Sequence, residues 1–408
     1  MGWGVQSNYV GQPVGFCSFE HLKLSEYPEL KEFWYGQLEH NAFRSLKHLV
    51  VDKCDFLSDV LFQPNLVGVL MNLEELDVED CNSLEAVFDL KGEFTEEIAV
   101  QNSTQLKKLE LFNLPKLKHV WKEDPHYTMR FQNLSDVSVV GCNSLISLFP
   151  FSVARDMMQL QSLHVSNCGI EEIVAKEEPL KHQESSKNVE HNISTYQALF
   201  VIEEEVLTSV ESAPQFSPRL RELDLWELPK LKYICKEGFQ MDPFLHFLER
   251  IDVYECSSLI KLVPSSVTFS YMTYLKVTNC NGLINLITHS TAKSLVKLTT
   301  MKIKMCNWLE DIVNGKEDET NEISFCNLQT LELISLPRLS RFCSCPCPIK
   351  FPLLEVVVIK ECPQMELFSL GVTNTTILQN VQTDEGNHWE GELNGTVKKM
   401  FDDKVEKM

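Results

Sequence analysis

The stretch LEELDVEDCNSL, Leu73 to Leu84, sets Leu73, Leu76, Val78, Cys81 and Leu84 in the frame L-x-x-L-x-V-x-x-C-x-x-L. Its middle, Leu76-Asp77-Val78-Glu79, alternates apolar and acidic residues with a period of two, as a short strand with one buried face requires. The same frame returns as Leu46, Leu49, Val51, Cys54 and Leu57, and again as Leu134, Val137, Val139, Cys142 and Leu145. Further copies put Cys168, Cys256, Cys280, Cys306 and Cys362 in the ninth place, so that eight of the fourteen cysteines occupy one slot. Four more copies replace the cysteine and follow it with proline: SEYPEL from Ser25, FNLPKL from Phe112, WELPKL from Trp226 and ISLPRL from Ile334.

The marker positions 27, 54, 81, 114, 142, 168, 228, 256, 280, 306, 336 and 362 define twelve units, 24 to 33 residues apart except for one interval of 60. A buried Leu or Val is worth on the order of 1.5–3 kcal/mol, against about 1–2 kcal/mol of backbone entropy for each residue ordered. Roughly five apolar anchors cannot stabilise one such unit alone, so parallel stacking into a one-dimensional array is obligatory. The array predicts strands at 22–24, 49–51, 76–78, 109–111, 137–139, 163–165, 223–225, 251–253, 275–277, 301–303, 331–333 and 357–359.

The expected organisation is a lead-in over 1–18, repeats one to six over 19–174, an acidic excursion over 175–215, repeats seven to twelve over 216–370 and a capping tail over 371–408. The excursion fills the long interval, carries no copy of the frame and is rich in glutamate. In the tail, WEGELNGTVKKMF, Trp389 to Phe401, reads as a short helix able to cover the open end of the stack.

At 408 residues the chain exceeds what one globular core supports, consistent with an elongated array. With 58 acidic against 37 basic side chains and a net charge of −21, it lacks the basic face that nucleic acid or an anionic membrane requires. The first fifteen residues contain no basic region followed by an apolar run, and no window approaches a membrane span. A cytoplasmic location is therefore expected, with free thiols and with the sequons at Asn102, Asn133, Asn192, Asn374 and Asn394 unglycosylated.

These residues carry a resemblance. A repeat with Asn or Cys in the ninth place is that of leucine-rich repeats. The alternation of the cysteine type with the L-P-x-L type resembles the C-terminal repeats of plant intracellular nucleotide-binding leucine-rich-repeat disease resistance proteins of the coiled-coil class. The endings CPQMELFSLGV, from Cys362, and HWEGELNGTVKKMF, from His388, are similar to theirs. The resemblance implies an α/β repeat solenoid, a horseshoe with a parallel sheet on its concave face and short helices or irregular chain outside. It also implies a non-catalytic recognition role, with a pathogen protein, a guarded host protein or a partner's nucleotide-binding domain as ligand. The phosphate-cradling G-x-x-x-x-G-K-[ST] of that family is missing, since Gly315-Lys316 has no glycine five places earlier and is followed by Glu317. A truncated paralogue or a fragment is therefore expected. The alternative function is a substrate-recruiting adaptor of a ubiquitin ligase, for which residues 1–18 leave too little room for a recruiting module.

Cys343, Cys345 and Cys347 in FCSCPCP offer three thiols, but a closed zinc site wants four ligands; the cluster reads as an exposed Cys-rich loop, and no metal or cofactor is expected. The ninth-place cysteines read as small apolar residues with a weak donor rather than as redox partners. No nucleophile elbow, HExxH or paired-carboxylate signature occurs, so no catalytic residue is proposed.

The candidate binding residues are those between the buried positions of each strand, facing the concave side: Glu75, Asp77, Glu79, Phe112, Trp226, Arg250, Tyr254, Tyr274, Lys276, Lys302, Lys304 and Lys360. In units one to eight this face carries the acids Asp52, Glu75, Asp77, Glu79, Glu110, Asp136, Glu222, Asp224 and Asp252 against Lys23, Lys108 and Arg250. In units nine to twelve Lys276, Lys302, Lys304 and Lys360 face Glu332 alone, so the charge is polarised along the array.

Overall fold

A computed structural model describes residues 19–26, 43, 45–57, 59–90, 103–125, 129–175, 220–234, 245–265, 267–316 and 320–407. The lead-in and nearly all of the acidic excursion lie outside the described residues. Twelve five-residue strands, His21–Ser25, His48–Asp52, Glu75–Glu79, Lys108–Phe112, Asp136–Val140, Ser162–Ser166, Glu222–Trp226, Arg250–Tyr254, Tyr274–Thr278, Thr300–Lys304, Thr330–Ile334 and Val356–Lys360, pair in chain order as one parallel ladder. Each is centred on a three-residue strand expected from the repeat. The ladder runs directly from Ser162–Ser166 to Glu222–Trp226, Leu163 opposite Leu223 and Val165 opposite Leu225, so the long interval does not interrupt pairing.

The second and fourth residues of each strand point into the core, as in Glu75–Glu79, where Leu76 and Val78 are buried and the residues around them are not. Zero register shift stacks like on like: Leu49 lies against Leu76, Leu76 against Leu109, and Leu109 against Val137. The result is a single continuous apolar core rather than one core per unit.

Each strand leaves the sheet through a left-handed residue. Gly141 does so at φ 75°, and Glu26, Lys53, Asp80, Asn113, Asn167, Glu227, Glu255, Asn279, Met305, Ser335 and Glu361 at φ between 51° and 55°. For a residue with a Cβ this conformation costs about 1–2 kcal/mol. What holds it is a hydrogen bond: the N–H of Lys53 donates to the carbonyl of Glu79 at 3.0 Å, that of Asp80 to Phe112 at 3.0 Å, and that of Met305 to Ile334 at 2.9 Å. At the end of the series the N–H of Glu361 donates instead to the Asp384 carboxylate.

The ninth-place cysteine directly follows this left-handed residue, two places after the last residue of the strand. Its thiol donates to the carbonyl of the last strand residue, from Cys168 to Ser166 at 3.2 Å and from Cys306 to Lys304 at 3.3 Å. Several also reach the neighbouring unit, as Cys362 does to Leu333. A small apolar side chain with one weak donor suits this slot, and burial pushes the Cys306 and Cys362 thiols up to about 12.

Behind the ladder, among the described residues, short strands form three separate strips: Val60–Phe62, Ala86–Phe88, His119–Trp121, Ser147–Phe149 and Glu172–Val174; then Asn285–Thr288, Asp311–Asn314 and Arg341–Cys343; and Ile323–Ser324, Ile349–Phe351 and Thr373–Thr375. The ladder itself gains two strands not foreseen from the repeat, Val381–Thr383 and Gly386–His388. They form an antiparallel hairpin at its last edge. The helix Leu393–Lys407 starts four residues later than Trp389 and buries Leu393 and Val397. Asn394 pins it in place: its side-chain oxygen accepts from the Ser369 N–H at 2.8 Å and its amide donates to the Gly371 carbonyl at 3.0 Å.

Candidate protein-binding face

The face of the ladder opposite the core is built from the first, third and fifth residues of each strand, and all twelve candidate residues occupy such positions. They fall into two patches and an outlier. Glu75, Asp77 and Glu79 share a strand, with Phe112 opposite Glu79 on the next. Trp226, Arg250, Tyr254, Tyr274, Lys276, Lys302 and Lys304 lie on four consecutive strands. Lys360 stands apart on the strand Val356–Lys360.

The second patch has an aromatic centre. Register sets Trp226 beside Tyr254, and Trp226, 36% exposed, meets His164 edge-on at 5.0 Å between ring centroids. The Arg250 guanidinium lies 4.4 Å from the Tyr274 ring centre, within cation–π range. The Tyr254 hydroxyl donates to the Glu255 carboxylate at 2.5 Å, which fixes the ring and raises the pKa of its phenol.

Its cations are largely spoken for. Arg250 and Lys276 both reach Asp252, at 3.0 and 3.2 Å, and Lys302 and Lys304 both reach Glu332, at 2.9 and 2.5 Å. Burial alone would raise the Glu332 carboxyl, but the two ammonium groups outweigh it and hold it below the ordinary carboxylate value. The charge polarity counted along the chain is thus softened here by pairing across strands, with Asp252 and Glu332 as the residues responsible.

The first patch is the reverse. Asp77 has a buried side-chain oxygen with no hydrogen-bond donor, and its carboxyl is pushed up to about 6, first by burial and then by Glu79 and Glu110. Lys108 reaches Glu110 at 2.8 Å, and His48 contacts Glu75 at 2.9 Å. The patch is an under-neutralised group of carboxylates that favours an incoming positive charge.

Beyond the strand positions, the structure exposes apolar groups that the repeat frame did not single out. Ile260 and Ile284 are exposed just after the last leucine of their units, and Trp308 is half exposed with the Arg338 guanidinium 3.7 Å from its ring centre. Exposed Trp in the slot between Cys306 and Leu309 was the available signal, since small or polar residues fill it in most other units. The reading of Cys343, Cys345 and Cys347 as an exposed loop is overturned: all three are fully buried, because residues 343 to 349 alternate inward and outward as an extended chain. All twelve cysteines among the described residues are free thiols. Among the described residues no helix is long and apolar enough to cross a membrane.

The family comparison agrees with this architecture. The chain matches the family of plant disease resistance protein RPS2-like leucine-rich repeats over residues 18–169, 188–271 and 267–384. It is 22% identical over 398 residues to the probable disease resistance protein At1g61300 of Arabidopsis thaliana, a match covering 94% of this chain and 48% of that protein. The chain therefore spans about half the length of this curated relative. Among solved structures, the plant peptide hormone receptor RGFR1 in complex with RGF2 is aligned over 90% of this chain and 72% of its own, at 12% identity and a TM-score of 0.24. With the repeat frame, the parallel ladder and a family match over most of its length in agreement, this chain belongs to the RPS2-like leucine-rich-repeat family of plant disease resistance proteins.

Proposed function

We propose that the chain is a non-catalytic recognition module of an intracellular plant immune receptor, and that it binds a protein through the concave face of its long ladder, the face opposite the core. The ligand is a pathogen protein, a guarded host protein or the nucleotide-binding domain of a receptor. The observation that carries this reading is the patch of Trp226, Tyr254, Tyr274 and Arg250 on three adjacent strands, because Trp, Tyr and Arg supply most of the energy in protein interfaces. These side chains are held by neighbours on the sheet rather than free to reorient, so less conformational entropy is lost when a partner covers them. The acidic patch around Asp77 adds a site for a basic group of the partner and would raise the rate of encounter more than the final affinity.

A cytoplasmic location is part of this proposal, and with it unglycosylated sequons at Asn133, whose amide donates to the Thr104 carbonyl at 2.7 Å, and at Asn394, whose amide donates to Gly371. A photo-crosslinking amino acid placed at Trp226, with a second at the exposed Val405 as control, tests the reading in plant cells. A protein captured at 226 and absent at 405 is expected; equal capture at both positions would remove the face from consideration.

A further inference from the structure

Cys343, Cys345 and Cys347 differ from every other cysteine group in the described residues. Ninth-place cysteines stand one to a unit, whereas these three, all fully buried, bring their sulfur atoms within 4.8 Å of one another from a single five-residue stretch. The backbone that presents them is fixed at both ends. Cys343 ends the strand Arg341–Cys343 and pairs with Val313, while Ile349–Phe351 pairs with both Ile323–Ser324 and Thr373–Thr375. Between them, the Ser344 N–H donates to the Val313 carbonyl at 3.1 Å, and Leu370 donates to Cys343 at 3.3 Å.

The loop has little freedom to rearrange. Pro346 and Pro348 flank Cys347, fixing two φ angles and removing two backbone donors from the loop. Segment 369–371 packs so tightly on it that a Cβ at Gly371 would lie 1.8 Å from the Cys347 carbonyl oxygen, so only glycine fits there. A preorganised group of soft ligands, enclosed away from water, is what separates a metal site from three thiols that happen to be near.

The donor set selects the metal. Among the described residues no fourth His, Cys, Asp or Glu joins the group, which disfavours the four-coordinate tetrahedral site of structural zinc. Three sulfurs suit a thiophilic ion content with trigonal coordination. A metal–sulfur bond of about 2.3 Å places the sulfurs of a trigonal site about 4 Å apart, a sub-ångström contraction of the observed group.

We propose that Cys343, Cys345 and Cys347 bind one thiophilic monovalent cation of the Cu(I) class through three sulfur atoms. This reverses the expectation drawn from spacing alone, and the reason is burial. Each cysteine that ligates releases its thiol proton to solvent, and the metal stays Cu(I) throughout, so no electron acceptor is needed. The bound ion would tie the strand Arg341–Cys343 to the start of Ile349–Phe351 and stabilise the last units by mass action.

The test uses the full chain, reduced and kept anaerobic, titrated with Cu(I) against a chromogenic Cu(I) chelator. Wild type is expected to withhold one equivalent that Cys345→Ser and Cys347→Ser release to the chelator, while Cys256→Ser withholds as much as wild type. Circular dichroism checks that the variants fold. X-ray absorption on loaded wild type needs no variant and is expected to show three sulfur neighbours without nitrogen or oxygen. Failure of wild type to compete, equal retention by the two loop variants in folded form, or a copper shell containing nitrogen or oxygen would overturn the proposal.

Discussion

Two patches on one sheet face, built from the same strand positions, solve opposite electrostatic problems. Around Lys302 and Lys304 the cations outnumber the acids along the chain, yet Glu332 takes both and Asp252 takes Arg250 and Lys276, leaving a surface whose charges mostly satisfy one another. Around Asp77 the acids crowd together, and one of them responds by holding its proton up to about pH 6. Charge counted along a sequence is therefore not charge presented to a partner. The aromatic patch is preorganised and close to neutral, suited to being covered, while the acidic patch stays unsatisfied and suited to attracting a cation.

The comparison requires both patches to sit on a face that leaves the core undisturbed. On the strand Glu222–Trp226, Leu223→Ala should destabilise the array by about 2–5 kcal/mol through a cavity, whereas Trp226→Ala should change stability by about 0.5 kcal/mol or less. Urea unfolding of the two variants reads the difference, and similar losses would mean that Trp226 is a core residue.

A charge deletion sharpens the contrast between patches. Glu332→Gln leaves two ammonium groups facing a neutral amide and should cost about 1 kcal/mol at pH 7. Behind Lys304, Met305→Gly should instead stabilise by about 1 kcal/mol, because glycine takes the left-handed turn without strain.

Asp77→Asn should have an effect that depends on pH. Because the folded pKa of Asp77 is raised from 3.8 to about 6, its contribution to stability is full below about pH 4 and is lost as pH rises through 6. Wild type should therefore lose stability relative to Asp77→Asn between pH 4.5 and 7. Parallel unfolding curves at the two pH values would show that burial and the neighbouring carboxylates do not perturb this group.

What the sequence revealed follows from which physical signals are local. All twelve parallel strands were legible because alternation with period two at a fixed offset from Cys or Leu-Pro is a property of each unit by itself. The aromatic centre was legible for the same reason, since Trp226 and Tyr254 hold the same place in neighbouring frames. The partners Asp252 and Glu332 were readable as charges but not as clamps, because pairing depends on register between units some 24 to 30 residues apart.

Other features were hidden for particular reasons. The left-handed turn after each strand is taken by Glu, Lys, Met and Ser as readily as by Asn or Gly, so the residue types do not announce it. The hairpin Val381–Thr383 with Gly386–His388 did carry a signal, Asp384-Glu385-Gly386 after an alternating run, that the repeat frame drew attention away from. FCSCPCP suggests an exposed loop because of its prolines and serine. Its burial comes from the chain at 368–372 lying over it, a contact made possible by Gly371.

The central claim is that the aromatic patch anchors a protein partner, and calorimetric titration of that partner, once captured by crosslinking, into wild type, Trp226→Ala and Tyr254→Ala tests it most directly. Each substitution should weaken binding by about 2 kcal/mol, roughly thirtyfold, with the array still folded. Unchanged affinity in both variants, with binding abolished only by removing residues 175–215, would contradict it.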